Sequence, residues 1–341
     1  MTLNKEEIKR ILVIRRNRVG DMICAIPLIK TLKKEFPHAR LVVLGEEGNT
    51  DILKGVWCVD EIWTYRSGKG LFRNKYLGYL RFLIKKEMDF DLAIGVKPGF
   101  SSLLAFITLM SGARYRIGCR LKKWHILNFC YNRPVKINTA EKAEHQIEAC
   151  LNLLKAVDIH EPVRDIGFEV ERDKIVFAEQ FFDAHKIKKG ERVAVFNVSN
   201  NRSVNLWAEE RFAEVGRFIT GKYGGWCVIT AAPDDARRAH KICTMIGAGA
   251  VFCRTPSIMD YAAIIKMSRF LLCSEGGAMH VAAALNVPMI ALFGRNNIDH
   301  WLPYSQEYTI LSGKDGAFSI SSDEVIQSIR KRFAVISSLT S

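Results

Sequence analysis

Apolar and polar positions along this chain fall into two successive series of the same kind. Short apolar runs rich in β-branched residues alternate with helix-length segments whose apolar positions recur three and four apart. In the first half the runs are Ile11–Arg15, Leu41–Leu44, Glu61–Tyr65, Leu92–Val96 and Tyr115–Cys119. They are continuous rather than alternating, which predicts parallel strands covered on both faces. Between them the spacing predicts helices over Met22–Phe36, Lys75–Glu87, Ser102–Met110 and Ala140–Val157. The first has apolar residues at 22, 23, 26, 29, 32 and 36, with Pro37 just beyond its end. In the second half, strands are predicted at Val193–Asn197, Trp226–Thr230, Ala250–Cys253, Phe270–Ser274 and Met289–Phe293. Helices are predicted at Lys174–His185, Ala208–Tyr223, Asp234–Ile246, Ser257–Met267 and Ala278–Leu285.

Two β/α series imply an α/β protein of two doubly wound, Rossmann-like domains, 1–165 and 166–341. The join falls in the charged stretch His160–Arg172, which contains Pro162 and Gly167. A last helix at about 322–333 follows the Gly/Ser-rich segment Ser312–Ser319 and could pack back on the first domain. Open α/β sheets bind ligands at the carboxyl ends of their strands, so a cleft between the domains is the expected active site.

Composition narrows the class. The 341 residues are long enough for two cores, and 48% apolar with 25% charged residues excludes a disordered chain, a collagen and a membrane bundle. The longest apolar run, Leu103 to Met110, is far short of the roughly 20 residues of a membrane span. The opening Met-Thr-Leu-Asn-Lys-Glu-Glu has no apolar signal region, so a cytoplasmic location is expected. Nine cysteines form no CxxC pair and no Cys/His cluster, and most lie in apolar runs, as buried reduced thiols do.

Charge adds an asymmetry. The net +14 divides into +11 for residues 1–165 and +3 for residues 166–341. A basic half suits nucleic acid, a phospholipid surface or a phosphorylated substrate, and equally serves solubility. The first reading is weak, because no nucleic-acid motif or aromatic-basic interleaving is present.

Three segments could carry chemistry. After the first strand the chain reads Arg15-Arg16-Asn17-Arg18-Val19-Gly20-Asp21. Gly20 would permit a tight strand-to-helix turn, and Asp21 would sit at or near the helix N-cap. Capping alone explains an aspartate there; flanked by Arg16 and Arg18, it could also serve as an ionised general base. The second segment, Ser274-Glu275-Gly276-Gly277-Ala278-Met279-His280, joins a buried strand to a helix through two glycines. Backbone N–H groups at that helix mouth would bind an anion, His280 could reach a phosphate, and Glu275 could accept from sugar hydroxyls. A plain turn and a packing histidine are the alternative. The third segment, Ser199-Asn200-Asn201-Arg202-Ser203, has hydroxyl, amide and guanidinium groups suited to phosphate oxygens, or to a solvated loop. Asp234 or Asp235 could contact a ribose or cap a helix.

There is no GxGxxG, no P-loop, no HExxH and no metal-ligand spacing. Asp89-Phe90-Asp91 has the DxD form of metal-dependent sugar transferases, but it precedes its strand and reads as a solvated loop. Arg73–Lys86 mixes apolar and basic residues, and could either touch a membrane leaflet or pack on the sheet.

In combination these segments resemble glycosyltransferase family 9, the ADP-heptose:lipopolysaccharide heptosyltransferases, over nearly the full length. The resemblance rests on Ile11-Leu-Val-Ile-Arg, Val19-Gly20-Asp21, Ile26-Pro27-Leu28 and the Trp207-Ala-Glu-Glu-Arg211-Phe212-Ala213 helix start. It continues through Glu275-Gly-Gly-Ala-Met279-His280, Val287-Pro288, Ala291-Leu292-Phe293-Gly294 and Trp301-Leu-Pro-Tyr304.

The resemblance implies a GT-B fold with an acceptor-binding first domain and a nucleotide-sugar-binding second domain. It implies inverting transfer that needs neither metal nor cofactor, from ADP-heptose to a lipopolysaccharide inner core (lipid A with Kdo), at the inner membrane surface. By position Asp21 corresponds to the catalytic carboxylate. Ser199, Asn200, Arg202, Asp234, Glu275, Gly276, Gly277 and His280 are then donor-side candidates. Arg18, Gly20, Lys97, Arg116 and Arg120 are acceptor-side candidates, with Arg114 a further basic residue of the same half.

The sequence departs from the family pattern at four places. Glu275 stands where Asp is usual, Gly276-Gly277-Ala278 where Ser or Thr precedes Gly-Pro, and Asn205 near a common Lys. Gly95-Val-Lys97-Pro98-Gly99 replaces an Asp-x-Gln-Gly. A diverged donor, or a non-catalytic binding protein of the same fold, is the alternative these departures raise.

Overall fold

The computed structural model describes residues 4–66, 75–121, 125–136, 144–294 and 298–338. The chain divides into two compact units, Met1–Phe168 and Glu169–Ser341.

Unit 1 is built on six parallel strands: β1 (Arg10–Ile14), β2 (Arg40–Glu46), β3 (Glu61–Tyr65), β4 (Leu92–Gly95), β5 (Tyr115–Arg120) and β6 (Arg133–Lys136). Their order across the sheet is 3-2-1-4-5-6. β1 and β4 are adjacent although two strands separate them in sequence. The chain's direction across the sheet reverses between them, and doubly wound sheets open a ligand crevice at such a switch point.

β6 departs from expectation: the sequence reading has no strand there, and its Pro134 cannot donate to a ladder. It is tolerated because β6 is the sheet's edge. The predicted helix at 22–36 is two helices, α1 (Val19–Ile23) and α2 (Ile26–Glu35). Pro27 lacks the N–H that would continue the first helix and sits instead in the first turn of the second. Then follow α3 (Lys75–Ile84), α4 (Ser102–Met110) and α5 (Gln146–Leu151), which runs on as a 3-10 turn to Val157. Residues 140–143 of the helix predicted at 140–157 lie outside the described residues, as does Arg73. One face of the sheet is closed by Leu12, Ile14, Val42, Leu44 and Ala93 packing on Tyr79 and Leu83 of α3 and Leu103, Leu104 and Ile107 of α4.

Unit 2 repeats the plan with β7 (Val193–Asn197), β8 (Trp226–Thr230), β9 (Ala250–Cys253), β10 (Phe270–Ser274), β11 (Met289–Phe293) and β12 (Tyr308–Ser312). All pairings are parallel, in the order β12-β11-β10-β7-β8-β9. Numbered from β7, this is the same 3-2-1-4-5-6 winding, with its switch point between β7 and β10. β12, absent from the sequence reading, is a half-buried edge strand ending at Ser312.

The helices are α6 (Arg172–Ala184), α7 (Glu209–Tyr223), α8 (Ala236–Ile246), α9 (Ile258–Lys266), α10 (Gly277–Ala284), α11 (Ile298–Trp301) and α12 (Ser322–Ser338). α12 packs against α7 and β12, and Val325 and Ile329 join the unit 2 core beside Phe212, Val215 and Ile219. Trp207, fully buried, donates from Nε1 to the Ile320 carbonyl at 2.8 Å and anchors the segment leading into α12.

Among the described residues no helix is long and apolar enough to cross a membrane. All nine cysteines are free, and eight are buried.

Candidate active site

In unit 1 the crevice at the β1/β4 switch point is spanned by one side chain. Arg15, the residue after β1, is 1% exposed. Its Nη1 donates to the Val96 carbonyl after β4 at 2.8 Å, and its Nε to the Asp21 carbonyl at 2.8 Å. Its Nη2 pairs with Asp21 Oδ1 at 2.5 Å. The second carboxylate oxygen, Oδ2, accepts weakly from the Arg18 amide at 3.4 Å across the first turn of α1. Asp21 is thereby fixed in orientation while its side chain stays 16% exposed. An ionised carboxylate held by a buried guanidinium at the carboxyl edge of a parallel sheet can accept a proton from a bound hydroxyl.

Two expectations change here. The cation at Asp21 is Arg15, not Arg16 or Arg18. Arg16 turns away to Glu46 (2.7 Å) and to the Tyr79 hydroxyl (3.1 Å), whose titration burial pushes far up, so that it stays a donor to Glu46 Oε1 at 2.9 Å. The sharp turn lies at Asn17, with φ of 85°, and not at Gly20, which is buried inside α1. Fully buried Asn49 locks that turn: its Nδ2 donates to the Asn17 carbonyl at 2.7 Å, and its Oδ1 accepts from the Glu46 amide at 3.0 Å. A methyl group on Gly45 would meet Asn49 Oδ1 at 2.5 Å, so the glycine makes room for this lock.

The acceptor-side candidates divide by edge. Lys97, after β4, and Arg120, at the end of β5, lie with Asp21 at the carboxyl edge of the sheet. Arg116, the second residue of β5, lies towards the opposite edge. Its Nε donates to the Cys130 carbonyl at 2.9 Å and its Nη1 to that of Ala113 at 2.8 Å, so this candidate serves as a structural tie. Arg114, also at that edge, pairs with Glu7 at 2.7 Å. The DxD lookalike is there too. Asp91 is not simply solvated: its Oδ2 accepts from the Lys9 and Arg10 amides at 2.7 and 2.9 Å and pins the start of β1.

In unit 2 the β7/β10 switch point is spanned as well. After β10, Glu275 is buried, and its Oε2 accepts from Asn205 Nδ2 at 2.6 Å and from Arg202 Nη1 at 3.4 Å. The Glu275 carbonyl accepts from Asn200 Nδ2 at 2.7 Å. Three residues from the loop after β7 therefore converge on one residue after β10. Asn205 is fully buried, and its Oδ1 accepts from the Gly294 amide after β11 at 3.2 Å, which brings a third strand end into the link. Nothing in the sequence pattern singles Asn205 out as this connector; by sequence alone it marks only an absent lysine.

Gly276 follows with φ of 156° and ψ of −163°, a combination open almost only to glycine, and then α10 begins. α10 thus opens at the carboxyl end of β10. His280, one turn in, is buried with its ring 6.0 Å from that of Trp301 in an edge-on arrangement. Ser199, placed by sequence among the donor ligands, accepts through Oγ from the Ala232 amide at 2.8 Å and joins the loops after β7 and β8. Asp234 is exposed in a 3-10 turn after β8. It does not cap α8: that position is Asp235, whose side chain makes no capping hydrogen bond. The structure thus gathers Asn200, Arg202, Asn205, Glu275 and Gly276 and leaves Asp234 apart. Among the described residues no group of three His, Cys, Asp or Glu side chains could hold a metal ion.

The sequence profile of glycosyltransferase family 9 (heptosyltransferase) matches residues 84–324. Lipopolysaccharide heptosyltransferase 3 of Escherichia coli is 20% identical over 299 residues, 84% of each chain. Lipopolysaccharide heptosyltransferase 2 of E. coli strain K12 is 23% identical over 323 residues, 89% of this chain and 87% of that one. Among solved structures, the family 9 glycosyl transferase from Veillonella parvula DSM 2008 superposes with a TM-score of 0.83 at 20% identity. It covers 97% of this chain and 98% of its own. E. coli heptosyltransferase WaaC with ADP gives 0.75 at 18% identity, over 94% and 99%. At such identities the structural likeness establishes the fold, which is the GT-B class expected from the sequence.

Proposed function

The chain belongs to glycosyltransferase family 9, and from that premise we propose that it transfers a heptose from ADP-heptose to the lipopolysaccharide inner core, with inversion, without a metal or cofactor, and with Asp21 as general base. The observation that carries the reading is the Arg15–Asp21 pair at the β1/β4 switch point, a fixed and accessible carboxylate where a doubly wound sheet binds its ligand.

In the proposed reaction the acceptor hydroxyl gives its proton to Asp21 as its oxygen attacks the anomeric carbon. The bond from that carbon to the diphosphate breaks with its electron pair going to the leaving oxygen. One displacement inverts the centre and needs one base. The diphosphate gains charge as it leaves, and the positive end of α10 at Gly276–Gly277, together with Arg202 and His280, would stabilise it. Lys97, Arg120 and Arg18 would meet acceptor phosphates or carboxylates.

One observation favours a second reading of the donor. Glu275 already has its carboxylate engaged by Asn205 and Arg202, so its reach to a sugar hydroxyl is restricted, and a different nucleotide sugar is the alternative. The test is turnover of ADP-heptose on a Kdo-bearing lipid A acceptor, with Asp21→Asn beside wild type. The proposal expects the variant to lose about 10²–10⁴ in kcat while still binding ADP. Full-rate transfer by Asp21→Asn would remove Asp21 as base. Turnover only with UDP-, GDP- or CMP-sugars would redirect the donor.

A further inference from the structure

Asp21 depends on more than the guanidinium that holds it. The β1–β2 ladder ends where the Arg15 amide donates to the Leu44 carbonyl at 2.9 Å. Arg16, Asn17 and Arg18 then carry the chain from the sheet to α1, which has only five residues. A helix so short, joined to its strand by three residues, swings unless the connection itself is fixed.

The turn after β2 fixes it. The Asn49 amide donates to the Glu46 carbonyl at 3.1 Å, and the Glu46 amide donates back to Asn49 Oδ1 at 3.0 Å. Thr50 Oγ1, 2.8 Å from Thr64 Oγ1, ties this turn to β3. From that base Asn49 Nδ2 donates to the Asn17 carbonyl at 2.7 Å and, at 3.5 Å, to the Arg15 carbonyl. Glu46 holds the residue between them through its ion pair with Arg16. One turn thus grips residues 15, 16 and 17 in succession. Asn17, at φ of 85°, keeps a backbone conformation that persists only where its surroundings impose it. The turn also reaches α1 directly. A methyl group on Gly45 would meet Met22 Cε at 2.9 Å as well as Asn49 Oδ1 at 2.5 Å, and Met22 is the wholly buried neighbour of Asp21.

We propose that Asn49 is a positioning residue for Asp21, setting where α1 leaves the sheet and hence where the carboxylate stands. Arg15 fixes the direction of the carboxylate; Asn49 fixes the backbone on which Arg15 and Asp21 both depend. The position is fully buried and asks for donation to carbonyls and acceptance from an amide, which one asparagine side chain supplies and an ionised aspartate does not. The inference rests on Asp21 being the general base.

The test measures transfer from ADP-heptose to the Kdo-bearing lipid A acceptor by the full chain, well below the Tm of each variant. Asn49→Ala is expected to lose about 10²-fold in kcat, the cost of a base displaced by about 1 Å, with acceptor KM and ADP affinity near wild type. In the Asp21→Asn background the same change should cost less than about twofold, because a residue acting through another adds nothing once that other is gone. Gly45→Ala removes no hydrogen-bonding group but pushes on Asn49 and Met22, and should give the same two results. Ser111→Ala strips an equally buried polar group, whose Oγ donates to the Thr108 carbonyl at 2.6 Å before β5. It should lower Tm and leave kcat unchanged. Amide exchange over residues 15–24, read by mass spectrometry without substrate, should quicken about tenfold in Asn49→Ala while α4 is unaltered. Wild-type kcat in Asn49→Ala, an undiminished loss in the Asp21→Asn background, or unaltered exchange over 15–24 would each overturn the proposal. Full-rate transfer by Asp21→Asn alone would instead strike the general-base reading on which it rests, and the exchange rates tell that result apart from a failure of Asn49 to hold the turn.

Discussion

Replacing Arg15 by methionine removes the link that both fixes Asp21 and closes the β1/β4 switch point. The wild-type guanidinium satisfies three oxygens, of which the Val96 and Asp21 carbonyls each accept at 2.8 Å. Losing a neutral acceptor's partner costs about 1 kcal/mol apiece. Unpairing a wholly buried ion pair costs about 3–5 kcal/mol. Asp21 is partly exposed and keeps the Arg18 amide, so its share lies well below that range. About 3 kcal/mol in all is expected, which for a unit of this size lowers Tm by about 6–12 °C.

Methionine has nearly the length of the lost stem, so cavity formation adds little. The functional cost is larger than the stability cost, because a base displaced by about 1 Å can lose 10²-fold in rate. The assays are thermal unfolding by circular dichroism, kcat from ADP release, and ADP affinity by titration. Tm and kcat should fall while ADP affinity stays, since Arg202, Asn205 and Glu275 belong to unit 2. Arg15→Lys, which reaches one oxygen in place of three, should lie between the two. A methionine variant with wild-type kcat, or one that loses ADP affinity along with kcat, would refute the reasoning.

Three further outcomes are expected. Gly276→Ala forces a side chain into a backbone conformation nearly reserved for glycine; it should cost about 1–3 kcal/mol in urea unfolding, and a neutral result would mean that the turn relaxes. Burial pushes the Cys58, Cys119, Cys150 and Cys243 thiols up to about 11 and Cys24, Cys227 and Cys273 higher still, so native protein should react slowly with a thiol reagent at about pH 8. Half-buried Cys243 should react first, and several fast thiols would contradict the packing. Burial pushes the Asp60 carboxyl up, but the Leu41 amide at 2.7 Å and Lys33 at 2.8 Å outweigh it and hold it below the usual range. Its contribution is present above about pH 4 and lost as pH falls through the lowered value. The gap in urea midpoint between wild type and Asp60→Asn should therefore close on acidification, and a gap that widens would refute it. Partial exposure keeps that gap below about 1 kcal/mol.

The interior of the fold was legible because buried parallel strands leave the plainest trace a sequence can carry. Five of the second unit's strands, from Val193–Asn197 to Met289–Phe293, have the ends their apolar runs predict. The edges were not legible. β6 contains Pro134 and β12 is only half buried, so neither has the continuous apolar run that marks a strand covered on both faces. Strand order, and with it the switch points, comes from long-range pairing that no local window records. For the same reason Arg15 was passed over for its neighbours Arg16 and Arg18. Adjacent basic residues at the end of a strand look alike in sequence, and only the alternation of side-chain direction sends Arg15 inward to Asp21 and Arg16 out to Glu46.

The departures from the family pattern gain a different meaning once Glu275 and Asn205 are seen to touch. Read singly, Glu275 lengthens a carboxylate and Asn205 stands where a cation is common. At a fully buried position, Asn205 must donate to Glu275 Oε2 and accept from the Gly294 amide. A lysine has donors only and would leave that buried amide without its acceptor, at a cost of about 1–3 kcal/mol. An asparagine amide has both a donor and an acceptor, and Glu275 is long enough to meet the donor. The two substitutions together therefore keep the crevice between β7 and β10 spanned, with a neutral group inside. The positive charge next to that carboxylate is then carried by the exposed guanidinium of Arg202, the cation that the proposed reaction assigns to the leaving diphosphate.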